Sequence, residues 1–199
     1  MSEFDDLVRN ITTCELCILS KSRTRAVPGE GSMTPSVMFI GEGPGYHEDQ
    51  QGRPFVGAAG QFLSQLLASI GMSRGDIYIT NMVKCRAPNN RDPLPGEIEA
   101  CRLYLDKQIE LLKPKIIVTL GRHSLARFFP RETISKARGK PRRWNGIIIY
   151  PMYHPAAALH QQSLRHVIEE DIKLLPRLLQ EAENPPPKEE PGPHQLNMF

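Results

Sequence analysis

The sequence predicts an α/β protein: a three-layer α/β/α sandwich around a central, mostly parallel, four-stranded sheet. Three observations carry that expectation. Val37–Ile40, Ile77–Thr80, Ile116–Leu120 and Ile147–Tyr150 are short, nearly continuous apolar runs, as expected of strands covered on both faces. The stretches between them carry apolar residues at helical spacing, and this alternation builds parallel sheets with helices on both sides. Glycine or a polar residue closes the strands, at Gly41-Glu42, Asn81, Gly121 and, just past Pro151, His154.

The elements follow in order. Ser2 with Asp5 resembles a capping box opening a short helix to about Thr12. Cys14-Glu15-Leu16-Cys17 comes next, then a basic loop punctuated by Gly and Pro to about Ser36. The first strand ends in Gly41-Glu42-Gly43-Pro44-Gly45, which continues neither strand nor helix. Phe62, Leu63, Leu66, Leu67 and Ile70 mark a helix that Gly71 stops. After the second strand a loop runs from Asn81 to about Leu94. Pro95 then opens a helix with Ile98, Cys101, Leu105, Ile109 and Leu112 on one face. The third strand leads through Gly121 into a short helix towards Phe129. The fourth is expected to end at Pro151. A last helical stretch covers about Ser163 to Ala182, with Pro176 expected to kink it.

The folded domain is expected over residues 1–182. At 199 residues and 40% hydrophobic content the chain holds one sizeable core. No apolar run approaches the roughly 18 residues of a membrane helix. The polar, acidic start is unlike a secretory signal, so a soluble, cytoplasmic protein without a membrane partner is expected. In an intracellular chain four cysteines read as metal ligands or buried thiols rather than disulfides. Cys14 and Cys17 form a CxxC pair, and Cys85 and Cys101 are single. Four thiolates suit zinc or an iron–sulfur cluster, and the spacing leaves both open. Gly41-x-Gly43-x-Gly45 lacks the spacing of a dinucleotide fingerprint, and the chain has no GxxxxGK[ST] phosphate loop.

In open α/β sheets chemistry collects beyond the carboxyl ends of the strands. Glu42, Asn81, Gly121 and His154 all fall there. Taken singly, Glu42 is an ordinary loop carboxylate, Asn81 a turn residue and Phe55 core packing. Together at strand ends they make the pattern of a pocket.

Several separated motifs, in order over about residues 1–180, resemble family-four uracil-DNA glycosylases, the iron–sulfur type. They are Gly41-Glu42-Gly43-Pro44-Gly45 with Glu48-Asp49, Gly52-Arg53-Pro54-Phe55-Val56-Gly57-Ala58-Ala59-Gly60, Asn81-Met82-Val83-Lys84-Cys85-Arg86 and His154-Pro155-Ala156-Ala157-Ala158-Leu159. The resemblance implies that Cys14, Cys17, Cys85 and Cys101 hold a 4Fe–4S cluster. It implies hydrolysis of the N-glycosidic bond of uracil in DNA, leaving an abasic site. Glu42 and His154 are then catalytic, the first placing water and facing the sugar cation, the second donating to uracil O2. Asn81 reads uracil O4 and N3, Phe55 stacks under the flipped base, and amides of the Gly43–Gly45 turn support it. Related families place a tyrosine where Gly45 stands, so thymine must meet some other wall. Arg86–Asp92 lacks the histidine of a relative that captures uracil covalently.

From Lys113 to Arg143 ten basic residues face one acidic residue, Glu132. That balance suits phosphate contacts, for which Arg138, Lys140, Arg142 and Arg143 are candidates. The segment from Pro155 and Ala156 to about Leu164 is expected to push into the duplex. Residues 183–194 read as a Pro-rich, extended linker spanning roughly 35 Å at about 3.1 Å per residue. Gln195-Leu196-Asn197-Met198-Phe199 resembles the peptide by which bacterial repair proteins dock on the sliding clamp, with Gln195, Leu196, Met198 and Phe199 in contact.

Overall fold

Residues 2–184 are described by a computed structural model of the chain. Helix α1 (Glu3–Thr12) starts at the expected capping box, with Asp5 N donating to Ser2 Oγ at 3.2 Å and Ser2 N to Asp5 Oδ2 at 2.8 Å. A two-residue strand β1 (Glu30–Gly31) precedes β2 (Val37–Gly41), which leads into α2 (Tyr46–Gln51) and α3 (Ala58–Ser69). Then come β3 (Tyr78–Asn81), α4 (Pro95–Leu112), β4 (Ile116–Leu120), α5 (Arg122–Ala126) and α6 (Ile134–Ala137). Strands β5 (Arg142–Trp144) and β6 (Ile147–Met152) are followed by α7 (Pro155–His160), α8 (Ser163–Ile172) and α9 (Leu175–Glu183).

The sheet order is β1-β3-β2-β4-β6-β5. The inner four strands are parallel, and they are the four that the apolar runs predict. The sheet has six strands rather than four, because antiparallel β1 and β5 flank it. Neither edge strand has an apolar signature: β1 is Glu-Gly and β5 is Arg-Arg-Trp. Charged, short edge strands are what a sheet uses to avoid pairing with another chain.

Side chains alternate across the sheet, so each strand feeds two cores. Val37, Phe39, Ile79, Val118 and Tyr150 pack beneath α3, α8 and α9. Met38, Ile40, Tyr78, Ile117 and Ile149 face Leu105 and Leu112 of α4. Full burial of one such aliphatic side chain contributes about 1.5–3 kcal/mol. Leu7 and Ile11 of α1 pack with Tyr104 of α4 and the cysteines in a smaller cluster.

Some boundaries differ from expectation. Strand β6 runs through Pro151 to Met152 instead of ending at the proline. The pairing with β5 stops at Ile149, and the Pro151 carbonyl accepts from Gly139 N at 2.9 Å. The missing N–H therefore faces a sheet margin where it interrupts no ladder. The final helical stretch is two helices rather than one kinked at Pro176. Pro176 sits in the first turn of α9, where an N–H has no helical partner anyway. Short α2 and α7 stand in stretches to which the sequence assigned no element. The helical end at Glu183 extends one residue past the expected domain limit. Residues 185–194 of the linker and the 195–199 peptide lie outside the described residues.

Candidate active site and thiol cluster

A cavity of about 410 Å³ opens at the carboxyl edge of the sheet, with Glu42, Asn81 and His154 in its lining. Strands β2 and β6 are separated only by β4, so Glu42 and His154 leave the sheet about 9–10 Å apart. Gly121 does not line the cavity. It backs the wall: a Cβ there would stand 3.2 Å from His154 Cβ, and its φ of +90° favours glycine.

Asn81 closes β3 and is 2% exposed, yet its Oδ1 has no hydrogen-bond partner among the described residues. A buried amide oxygen left unpaired costs about 1–3 kcal/mol, so the position calls for a ligand donor. Gly41 permits this placement, since a Cβ on it would lie 2.4 Å from Asn81 Oδ1 and 2.7 Å from Phe55 Cζ.

Phe55 is held in an unusual backbone state, with φ +52°. Arg74 secures it, donating to the Pro54 carbonyl at 2.6 Å and the Phe55 carbonyl at 3.0 Å. Glu30 holds Arg74 in turn at 2.6 Å. The Phe55 ring stacks on His154 with centroids 5.4 Å apart and planes at 28°.

His154 caps α7: its Nδ1 accepts from Ala156 N at 3.1 Å. A ring nitrogen that accepts carries no proton, so the neutral imidazole bears its hydrogen on Nε2. Burial pulls the ring down to about 4, against a weaker upward pull from Glu48. Burial also raises Glu42 above the ordinary carboxylate range, opposed by His123. His123 Nε2 lies 3.6 Å from Glu42 Oε2 and 3.6 Å from Asp92 Oδ1, and Arg122 pairs with Asp92. Ligand atoms of Glu42, Asp92 and His123 all fall within 4.8 Å of one another.

Gly43 and Gly45 both line the cavity. Glu48 Oε1 accepts from Val56 N and Gly57 N, each at 2.9 Å, at the start of α3. Its Oε2 lies 2.7 Å from where a Gly45 Cβ would be. Its own carboxylate thus stands beside the gap that Gly45 leaves.

The four cysteines line a second cavity together with Ile11, Leu16 and Tyr104. Leu16 N donates to Cys14 Sγ at 3.4 Å, Lys84 N to Cys101 Sγ at 3.3 Å and Arg23 Nη1 to Cys85 Sγ at 3.0 Å.

The family model of the uracil DNA glycosylase superfamily matches residues 28–176. A type-4 uracil-DNA glycosylase of Sulfurisphaera tokodaii is 48% identical over 188 residues, covering 89% of this chain and 86% of the relative. The chain belongs to this superfamily, alongside its type-4 members. The type-4 enzyme of Saccharolobus solfataricus is 49% identical, over 87% of this chain and 85% of its own length. That of Archaeoglobus fulgidus is 46% identical, over 89% and 94% respectively.

The structure brings Glu42, Gly43, Gly45, Phe55, Asn81, His154 and Ala156 to one cavity. Pro155 is buried at the start of α7, and Leu159 further along the same helix is exposed. Of the basic candidates, Arg138 is held by Asp171 at 2.9 and 2.8 Å and Arg142 by Glu132 at 2.9 Å. Lys140 and Arg143 are exposed, and Lys140 bears on Glu132 only through its charge. Sequence reasoning assigned no role to Arg74, Lys84 or His123, which have no local signal, and quoted Glu48 without one.

Below the ordinary value of 6.5 an unfolded chain protonates His154, whereas the folded chain resists down to about 4. Stability is therefore lost as pH falls through that window. Between about pH 7 and about pH 4.5, urea unfolding is expected to show a loss about 2–3 kcal/mol larger for the unaltered protein than for His154→Gln. Equal losses would mean the ring is not held neutral.

Proposed function

We propose that this chain is a uracil-DNA glycosylase, hydrolysing the N-glycosidic bond of uracil in DNA to start base excision repair. One observation carries the reading: a buried, unpartnered Asn81 Oδ1 shares a cavity with Glu42 and a neutral His154. A base flipped into the cavity stacks on Phe55. Asn81 Oδ1 accepts from uracil N3–H and its amide donates to O4. Cytosine offers the opposite polarity at both atoms and leaves buried groups unpaired.

As the bond breaks, negative charge gathers on the leaving base and positive charge on the sugar. His154 Nε2–H donates to uracil O2, and the ring serves as a neutral donor because its other nitrogen is occupied by Ala156 N. Glu42, across the cavity, faces the sugar cation and orients the attacking water, with His123 alongside it. Backbone amides of Gly43 and Gly45 support the base. Thymine adds one methyl to uracil, and Glu48 supplies the wall that Gly45 omits.

Cys14, Cys17, Cys85 and Cys101 suit a 4Fe–4S cluster better than one zinc ion. A tetrahedral zinc with sulfur at about 2.3 Å needs sulfurs about 3.8 Å apart. No three of these thiols fall within 4.8 Å of one another, which favours a larger occupant. When bound, the cluster supplies a structural link joining the end of α1, the segment after β3 and helix α4.

Exposed Lys140 and Arg143 hold DNA phosphates, with Arg138 and Arg142, paired with Asp171 and Glu132, adding positive charge beside them. No helix of the described residues is long and apolar enough to cross a membrane. The enzyme acts as a monomer at the nucleoid. Gln195, Leu196, Met198 and Phe199 tether it to the sliding clamp.

Incubation with a labelled oligonucleotide containing one uracil, then alkali, should give scission at uracil only. Glu42→Ala and His154→Ala should each lower the rate by about 100-fold or more; unchanged rates would remove both from the chemistry. Glu48→Ala should gain thymine excision relative to uracil, whereas Glu48→Gln, keeping the bulk, should not. If Glu48→Ala still rejects thymine, the wall lies elsewhere. Purified protein should contain iron and absorb visible light, and Cys101→Ala should lose both. A colourless, zinc-containing protein would overturn the cluster assignment.

A further inference from the structure

Beside the mouth of the cavity stands an aromatic side chain that the chemistry above does not use. Tyr46 opens α2 directly after Gly45 of the cavity lining and is 53% exposed. The guanidinium of Arg86 lies over its ring, 5.2 Å from the centroid. Arg86 Nε donates to Asn90 Oδ1 at 2.7 Å, and both Asn90 and Ala87 line the cavity. The Tyr46–Arg86 pair therefore sits on the rim, flanked on both sides by cavity residues that are far apart in sequence. The His47 ring meets Tyr46 edge-on, at 5.5 Å and 78°.

We infer that Tyr46 and Arg86 form a stacking platform for the nucleobase next to the flipped uracil. The inference rests on the glycosylase reading for its ligand class, DNA. The cavity accepts one base, and the strand that delivers it must leave past the rim. A flanking base in single-stranded DNA has lost the neighbour that uracil provided. A flat aromatic ring and a planar guanidinium replace that neighbour, since every base has a face and Arg stacks on π-systems. The pair carries no fixed set of donors and acceptors against a base edge, so the contact is indifferent to sequence. The Arg86 charge also favours the adjoining phosphate.

The test uses the full-length protein and single-stranded oligonucleotides with 2-aminopurine on one or the other side of 2′-fluoro-2′-deoxyuridine. The fluorine disfavours the cationic sugar, so the base is bound without being excised. Binding should change 2-aminopurine emission at one of the two flanking positions. Tyr46→Ala should abolish that change and weaken single-strand binding about tenfold, whereas Tyr46→Phe should keep both. Arg86→Ala should weaken binding and reduce the change in emission. On unmodified uracil DNA, Tyr46→Ala should raise KM and leave kcat unaltered. Unaltered binding and emission in Tyr46→Ala would overturn the platform. Absence of uracil excision by the unaltered protein would instead overturn the glycosylase reading, with the emission change still reporting on the platform by itself.

Discussion

A buried ammonium group stands between the cavity and the thiols. Lys84 is 1% exposed, and a charge so far from water is tolerated only when oxygens surround it. Thr80 Oγ1 accepts at 2.6 Å, the Asn81 carbonyl at 2.8 Å and Gln108 Oε1 at 2.6 Å. Burial pulls the group down to about 8, which leaves it cationic at neutral pH. These bonds fix the end of β3 against α4. Asn81 therefore sits at a set position in the cavity lining. The Lys84 amide reaches the other way, to Cys101. The same short segment, Asn81 to Cys85, thus carries a cavity residue at one end and a thiol at the other.

Around that anchor the cavity is built by close approach rather than by flexible side chains. Gly41 lets Asn81 and Phe55 come within what a methyl group would fill, and Gly60 does the same for the Phe55 carbonyl, 1.8 Å from a would-be Cβ. The left-handed Phe55 backbone persists because Arg74, itself held by Glu30, grips the carbonyls of Pro54 and Phe55. Asp49 extends this bracing outward, accepting from Thr24 N at 2.9 Å and Arg25 N at 3.4 Å. Groups fixed this way need little reorganisation when charge develops on a bound base, the condition under which oriented dipoles stabilise a transition state most.

The inner sheet was legible in the sequence because its strands are buried on both faces and so read as unbroken apolar runs. Its edges were not, since Glu30-Gly31 and Arg142-Arg143-Trp144 are ordered by pairing alone and leave no hydrophobic trace. The cavity residues could be named because they sit at strand ends within recognisable motifs. Their supports could not: Arg74 acts through backbone carbonyls and Lys84 through burial, and neither has a local pattern. The basic stretch is less free than its charge count suggests, for the opposite reason. Charge counts as free in a sequence, yet Asp171 lies 33 residues from Arg138 and neutralises it in space.

Glu42, Asn81 and His154 reach the cavity from the ends of three different strands of the parallel sheet. Parallel neighbours are joined only through long crossovers, so contacts of this kind form late, after the loops between them have closed. Glu42 and His154 meet only when β2, β4 and β6 are all in place. A chain still emerging from the ribosome, or one partly unfolded, has no cavity to offer a nucleic acid. Completion of the sheet is the step at which the cavity first exists.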